Sequence, residues 1–178
     1  MLNDELIQHE ITPLTIAILP LEDETGNFTK SIIYEETGEY VAHILPTKII
    51  DSACKYFGSS LKGRLEGTRD ISGITHKAPI VIDPASGMYF YPTASPVNKS
   101  CSWIAHSHID SIHSRENNQS EIVFKNGKTI LFDVSYGSMM NQVNRTAQFR
   151  FSLEDRMSVV RERTIYSQHF TQNNHSPY

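Results

Sequence analysis

Six cations fall between Thr47 and Lys77: Lys48, Lys55, Lys62, Arg64, Arg69 and Lys77. They oppose Asp51, Glu66 and Asp70, a net charge of +3 (6 − 3). Gly58, Ser59, Ser60, Gly63 and Gly67 are interleaved with them. Small residues, hydroxyls and excess positive charge suit a phosphate-gripping surface, since glycine admits a close approach and Lys or Arg neutralises the anion. The same residues also describe an amphipathic element with a solvated basic face. A second polar set comes later, where Asn141, Asn144, Arg145 and Gln148 share one face of a helix. Amides and arginine suit phosphates and base edges, but any solvated helix shows such a face, and by itself the face reads as that.

Three other chemistries fit less well. His106-Ser107-His108-Ile109-Asp110 places two imidazoles and a carboxylate on one face of a strand, the alternate spacing a chelating pair needs. The H-x-H-x-D-H signature of metallohydrolases requires its third histidine beside the aspartate, but Ser111 and Ile112 intervene before His113. His106 and His108 are therefore the metal candidates, and a metal-dependent hydrolase is the alternative reading. Gly58 to Leu65 (GSSLKGRL) looks like a Walker A loop. That loop needs Lys then Ser or Thr after its second glycine, where this chain has Arg64 and Leu65. No G-x-S-x-G elbow is present to expose a nucleophilic serine, although spacing alone leaves a Ser-His-Asp triad open.

The elements that must carry these residues follow from periodicity and punctuation. Leu14–Leu19 reads as a first strand, ended by Pro20. Ser31–Tyr34 and Tyr40–Leu45 form a hairpin around Glu35-Glu36-Thr37-Gly38. Thr47 caps a helix whose apolar face is Ile49, Ile50, Ala53, Cys54 and Phe57, and Gly58 closes it. Leu61–Glu66 is a second short helix with Gly67 as its exit. Pro79 marks an edge or a bend, Ile80–Ile82 and Met88–Tyr91 a hairpin, and Pro92–Ser100 a polar loop free to move. Trp103–His113 alternates as one strand. Glu121–Lys125 and Lys128–Val134 flank Asn126-Gly127, the pair preferred in a type I′ turn. Ser135 caps a longer helix with Tyr136, Met139, Met140, Val143, Ala147 and Phe151 on its core face.

The expected fold is a single α+β domain of antiparallel hairpins, with a short helical pair at about 47–67 and a longer helix at about 136–151. It covers residues 1–157, and 158–178 is a polar, flexible tail. At 178 residues a disulfide-free core is affordable. Cys54 and Cys101 make neither a disulfide framework nor a zinc quartet, and Cys54 reads as a small buried hydrophobe. The N-terminal MLNDELIQHE has acids where a signal peptide needs cations, and Leu14–Leu19 is too short to span a bilayer. A cytoplasmic protein with no membrane partner is expected. Residues 1–47 carry nine acids and Lys30, net −8 (1 − 9); residues 48–178 carry fifteen cations and eleven acids, net +4 (15 − 11). That asymmetry suggests a basic working surface held apart from an acidic region.

Short ordered blocks along residues 12–157 resemble the ComK family, competence transcription factors of Gram-positive bacteria. They are Ile50-Asp51 with Cys54, Phe57-Gly58-Ser59-Ser60, Gly63-Arg64, Gly67-Thr68, His76-Lys77, Pro79-Ile80, Asp83-Pro84 and Pro92-Thr93. Trp103-Ile104 with His106, Phe124, Asn126-Gly127-Lys128, Ser135-Tyr136, Asn141-Gln142-Val143, Arg145-Thr146-Ala147 and Asp155-Arg156 complete the set. The resemblance implies an activator of genes for DNA uptake and recombination. It would bind paired A/T-rich boxes of double-stranded DNA, mainly through the minor groove, as dimers that assemble into tetramers. It further implies RNA polymerase as a partner, a nucleoid-associated location, no cofactor and no catalytic residue. On that view Lys55, Ser59, Ser60, Lys62, Arg64, Arg69, His76, Lys77, Asn141 and Arg145 are the candidate DNA contacts. Better-known members continue into a longer tail gripped by a Clp protease adaptor. This chain stops at Tyr178, which puts that control in question and leaves open a paralogue that only modulates an intact activator.

Overall fold

Thr15, Ile16, Ala17 and Ile18 are buried in succession, as befits a strand covered on both faces. They open β1 (Thr15–Glu22) in a computed structural model that describes residues 11–173, with side chains described as far as residue 167. β1 pairs with β2 (Phe28–Glu35) and β2 with β3 (Glu39–Ala42), an antiparallel meander. β4 (Ile80–Asp83), β5 (Met88–Pro92) and β6 (Trp103–Ala105) make a second meander. β6 joins the two through Ala17↔Ile104 and Ile18↔Trp103, giving one six-stranded sheet in the order β3-β2-β1-β6-β5-β4. A second sheet holds β7 (Ile109–Arg115), β8 (Gln119–Phe124) and β9 (Thr129–Phe132). Helices α1 (Pro46–Tyr56) and α2 (Leu61–Ser72) follow β3, and α3 (Tyr136–Asn173) follows β9.

Strand alternation divides the core into layers. Ile18, Ile33, Phe90 and Trp103 share a cluster with Ile49, Ile50 and Cys54 of α1. Their neighbours Ala17, Tyr91 and Ile104 face the other way, onto Ile122, Phe124 and Phe132 of the small sheet and Met139 of α3. A third cluster joins Val81 and Tyr89 to Phe149 of α3, the two rings edge-on at 6.1 Å. Each large apolar side chain so buried contributes roughly 1.5–3 kcal/mol. Burial also pushes the Cys54 and Cys101 thiols up to about 11, which keeps both unreactive.

The α+β class, the hairpins, the edge position at Pro79 and the helical pair agree with the sequence. Several details differ for identifiable reasons. Pro20 lies inside β1, opposite Ser31; β6 reaches β1 only at Ala17 and Ile18, so Pro20 sits where one side of the strand is open. Leu45, not Thr47, is the N-cap of α1, because Pro46 takes the first helical position. The Thr47 hydroxyl instead accepts from the Trp103 indole at 3.1 Å. Phe57 is exposed at the end of α1, and Gly58 beyond it has φ 74° as expected. α2 runs through Gly67 and leaves at Gly73, where φ is 72°.

Trp103–His113 is not one strand. β6 ends at Ala105, His106–His108 make a turn of 3-10 helix, and β7 starts at Ile109 in the other sheet. At Asn126-Gly127 only the glycine has positive φ (85°), so the loop is a type I turn closed by a left-handed glycine; the type I′ pair is Asn117-Asn118, at 55° and 58°. Ser135 does cap α3, its hydroxyl accepting from Ser138 N at 3.2 Å. The helix then continues past Phe151 to Asn173. Its buried stripe is Met139, Gln142, Thr146 and Phe149, whereas Tyr136, Ala147 and Phe151 are exposed. Residues 1–10 and 174–178, on which the expected N-terminus and part of the expected tail fall, lie outside the described residues.

Candidate functional site

Helix α2 lies along the open edge of β4 and caps its outward carbonyls. Thr68 Oγ1 donates to Pro79 O at 2.7 Å, and a terminal nitrogen of Arg64 donates to Ile82 O at 3.1 Å. Arg64 is half-buried, and its Nε is buried without a partner. It pairs with neither Glu66 nor Asp70; its first duty is to cover a sheet edge. The start of α2 is likewise occupied. Leu61 N donates to Asp51 Oδ1 at 2.9 Å, and Gly63 N donates to Ser60 Oγ at 3.1 Å. Hydrogen bonds from Lys55 and from Leu61 hold the Asp51 carboxyl below its usual range, so a carboxylate already sits where the glycine–serine run suggested a phosphate.

Of the candidate contacts, the exposed cations are Lys55, Lys62, Arg69 and Lys77, and Lys48 beside them is exposed as well. Lys55 meets Asp51 at 2.8 Å and Lys62 reaches Glu66 at 4.0 Å. Such exposed pairs contribute at most about 1 kcal/mol, so an incoming anion can exchange them.

The segment 73–79 between α2 and β4 is pinned by α3. Lys77 holds φ 46°, a left-handed conformation that costs a non-glycine residue about 1–2 kcal/mol. Gln142, 5% exposed, donates its amide to Lys77 O at 2.9 Å and to Pro92 O at 2.7 Å. The amide oxygen accepts from Arg145 at 2.8 Å, and Arg145 donates its other terminal nitrogen to His76 O. Burial lowers the Arg145 pKa. Gln142 and Arg145 thereby fix the backbone that displays the His76 and Lys77 side chains to solvent.

These contacts sort the predicted residues into two clefts. One, of about 210 Å³, gathers His76, Lys77, Asn141 and Arg145 with Thr93 and Gln142. The other, of about 320 Å³, runs between α2, β4 and α3 and is lined by Ser59, Arg64 and Thr68, with Phe149 and Leu153 behind. Lys55, Ser60, Lys62 and Arg69 line neither; Ser60 serves as the α2 cap. A third hollow, of about 380 Å³ between Ile49, Tyr56, Phe57 and Met88, contains none of the predicted contacts. Gln142 was missed because a polar residue on a buried stripe gives no hydrophobic signal. Its spacing from Arg145 on the same face was the one available clue.

The loop expected to move is also pinned. Thr93 N donates to Ser102 O at 2.9 Å, Asn98 N to Ser95 O at 2.9 Å, and Cys101 N to Asn98 O at 3.0 Å.

The histidines do not form a chelating pair. His106 turns inward, bonded to the Val143 carbonyl, with Nδ1 buried and unpartnered. Burial, then the Arg150 charge, pushes its pKa down. His108 donates Nε2–H to Pro13 O at 2.7 Å, and its other nitrogen lies 3.3 Å from Glu36. Among the described residues no group of three or more His, Cys, Asp or Glu could hold a metal ion. Ser111 and His113 do meet, at 3.1 Å, on an exposed stretch of β7 away from both clefts.

Charge is separated along the large sheet. The acidic strands β1–β3 occupy one end of the strand order and α2 lies against β4 at the other. Among the described residues no helix is long and apolar enough to cross a membrane.

The α+β domain thus carries one cleft lined by cations, amides and hydroxyls and a second, more apolar one bordered by Ser59, Arg64 and Thr68. The chain belongs to the ComK family: the family described as "ComK protein" matches residues 7–158. It is similar to a "Competence transcription factor" of Bacillus subtilis (strain 168), 39% identical over 152 residues, covering 85% of this chain and 78% of that protein. No solved structure matches it.

Proposed function

We propose that this protein is a DNA-binding transcription factor for competence genes, those of DNA uptake and recombination. The observation that carries the reading is the 39% identity over 85% of the chain to the Bacillus subtilis competence transcription factor. The target is double-stranded DNA with paired A/T-rich boxes, entered mainly from the minor groove. Narrow A/T grooves have enhanced negative potential and attract inserted Lys and Arg, which suits a surface with exposed Lys62, Arg69, His76 and Lys77. Ser59, Asn141 and the half-buried Arg64 and Arg145 border the two clefts. The protein acts in the cytoplasm at the nucleoid, as a dimer or tetramer on DNA, and recruits RNA polymerase without a cofactor. A gel shift on paired A/T boxes against a G/C-substituted duplex tests this directly. Equal affinity for both duplexes sinks the sequence-selective reading, and no shift with either sinks DNA binding.

A further inference from the structure

Val97 is 92% exposed, more than any other large hydrophobic side chain among the described residues. A lone apolar side chain on a surface needs no explanation by itself. What sets Val97 apart is the rigidity of its presentation. Asn98 N closes a turn onto Ser95 O, with Pro96 and Val97 at its centre, and proline favours the first of those central positions. The Asn98 carboxamide oxygen then accepts from Ser100 N at 3.0 Å and from Ser100 Oγ at 2.9 Å. Below, Ser102 N donates to Thr93 Oγ1 at 3.0 Å, and the buried Cys101 thiol contacts Ala94 O at 3.4 Å. Three tiers of bonds hold up a tip in which Pro96 is half-buried and Val97 stands clear of the fold.

The position of this tip points to its partner. Thr93, at the foot of the loop, lines the same cleft as His76, Lys77 and Asn141. Lys99, two residues past the tip, is exposed. A rigid Pro-Val tip followed by Lys99, with Lys77 and Arg145 in the cleft at its foot, matches the way minor-groove proteins insert an apolar wedge between base steps while lysine and arginine hold the backbone. Because the turn is already formed, little conformational entropy remains to be lost on insertion. Pyrimidine–purine steps such as TA unstack easily, so an A/T-rich site is a favourable substrate.

We propose that Pro96 and Val97 form an apolar wedge that enters a base step of bound DNA, an inference that rests on the DNA-binding reading above. The experiment places 2-aminopurine, whose fluorescence rises on unstacking, at successive adenines of an A/T-rich duplex and titrates each duplex with the full chain. The wild-type protein should raise fluorescence at one or two neighbouring positions. Val97→Ser should abolish that rise and weaken binding several-fold with an unchanged melting temperature, and Val97→Leu should preserve the rise. Lys99→Ala should weaken binding and leave the rise intact at saturation. If wild type binds without a rise at any position, or if Val97→Ser binds and unstacks as wild type does, the wedge is wrong and DNA binding stands. Failure of the wild type to bind any duplex removes both inferences together.

Discussion

Gln142 holds Lys77 in its left-handed conformation, donating from Nε2 to the Lys77 carbonyl across 2.9 Å and 65 residues of sequence. The same nitrogen serves Pro92 O, so one buried amide ties α3 both to β5 and to the segment bearing two candidate contacts. Gln142→Leu should cost about 1–3 kcal/mol, the penalty for buried polar groups left without a partner. Urea denaturation measures that loss. DNA affinity at a temperature where the variant remains folded should also fall, because His76 and Lys77 lose their fixed backbone.

Lys77 itself separates strain from charge. Lys77→Gly removes the left-handed strain but frees the unfolded chain, so stability should stay within about 1 kcal/mol of wild type. Lys77→Val keeps the strain, adds β-branching and should melt lower. Both remove one cation, and both should reduce the slope of log affinity against log salt by about 0.9 if Lys77 meets a phosphate.

Arg64 and Lys62 should part company. Arg64→Ala uncaps the Ile82 carbonyl and should lower the melting temperature, and Arg64→Lys should not fully restore it, since an ammonium lacks the planar fork. If Arg64 also reaches the A/T groove, its alanine variant loses A/T preference as well. Lys62→Ala, removing an exposed cation, should leave stability within about 0.5 kcal/mol of wild type and weaken binding to all duplexes alike.

His106 makes stability depend on pH. Its folded pKa is depressed, chiefly by burial and then by Arg150, with Lys125 adding to the same effect. The unfolded chain, with an ordinary histidine pKa of about 6.5, therefore binds the proton first. This contribution is intact above that value and is lost as pH falls through it towards the folded pKa. His106→Gln should flatten the fall in stability between about pH 7 and 5. Denaturation curves of both proteins across that range provide the check, and parallel curves would remove His106 as the cause.

Binding to DNA should be strongly salt-dependent, falling by about 0.9 in log affinity per unit log salt for each phosphate engaged. Minor-groove ligands should compete, while major-groove methylation leaves affinity unchanged. Sensitivity to methylation would instead place an element in the major groove, and the exposed face of α3 bearing Asn141 and Asn144 is the candidate.

Strands and helix ends were readable where physics acts locally. Alternation marked the hairpins, Pro46 and Gly58 bounded α1, and Pro79 narrowed its place to an edge or a bend, of which the edge is the one found. The break at His106–His108 was invisible, since His-Ser-His-Ile-Asp carries no glycine or proline to signal that a strand changes sheets. The true core stripe of α3 was hidden for another reason. Gln142 and Thr146 can be buried because carbonyls accept their protons: Thr146 Oγ1 finds Gln142 O at 2.7 Å, one turn back, while the partners of Gln142 come from distant parts of the chain. Of the candidate site, the cations were legible by type. Which of them were already engaged, Arg64 on Ile82 O and Arg145 on His76 O, depended on contacts 18 and 69 residues apart.

The three residues of β6 have a bearing on the order of assembly. Trp103, Ile104 and Ala105 are nearly or wholly inaccessible, and they alone stitch β1 to β5. As the chain emerges from the ribosome, β1–β3 and β4–β5 can each zip up locally, yet β1 and β5 keep unpaired edges until residue 105 is available. Insertion of this late central strand closes both edges at once. A pause in synthesis before Trp103, or a substitution that slows its entry, would prolong the interval in which two sticky half-sheets can find other chains.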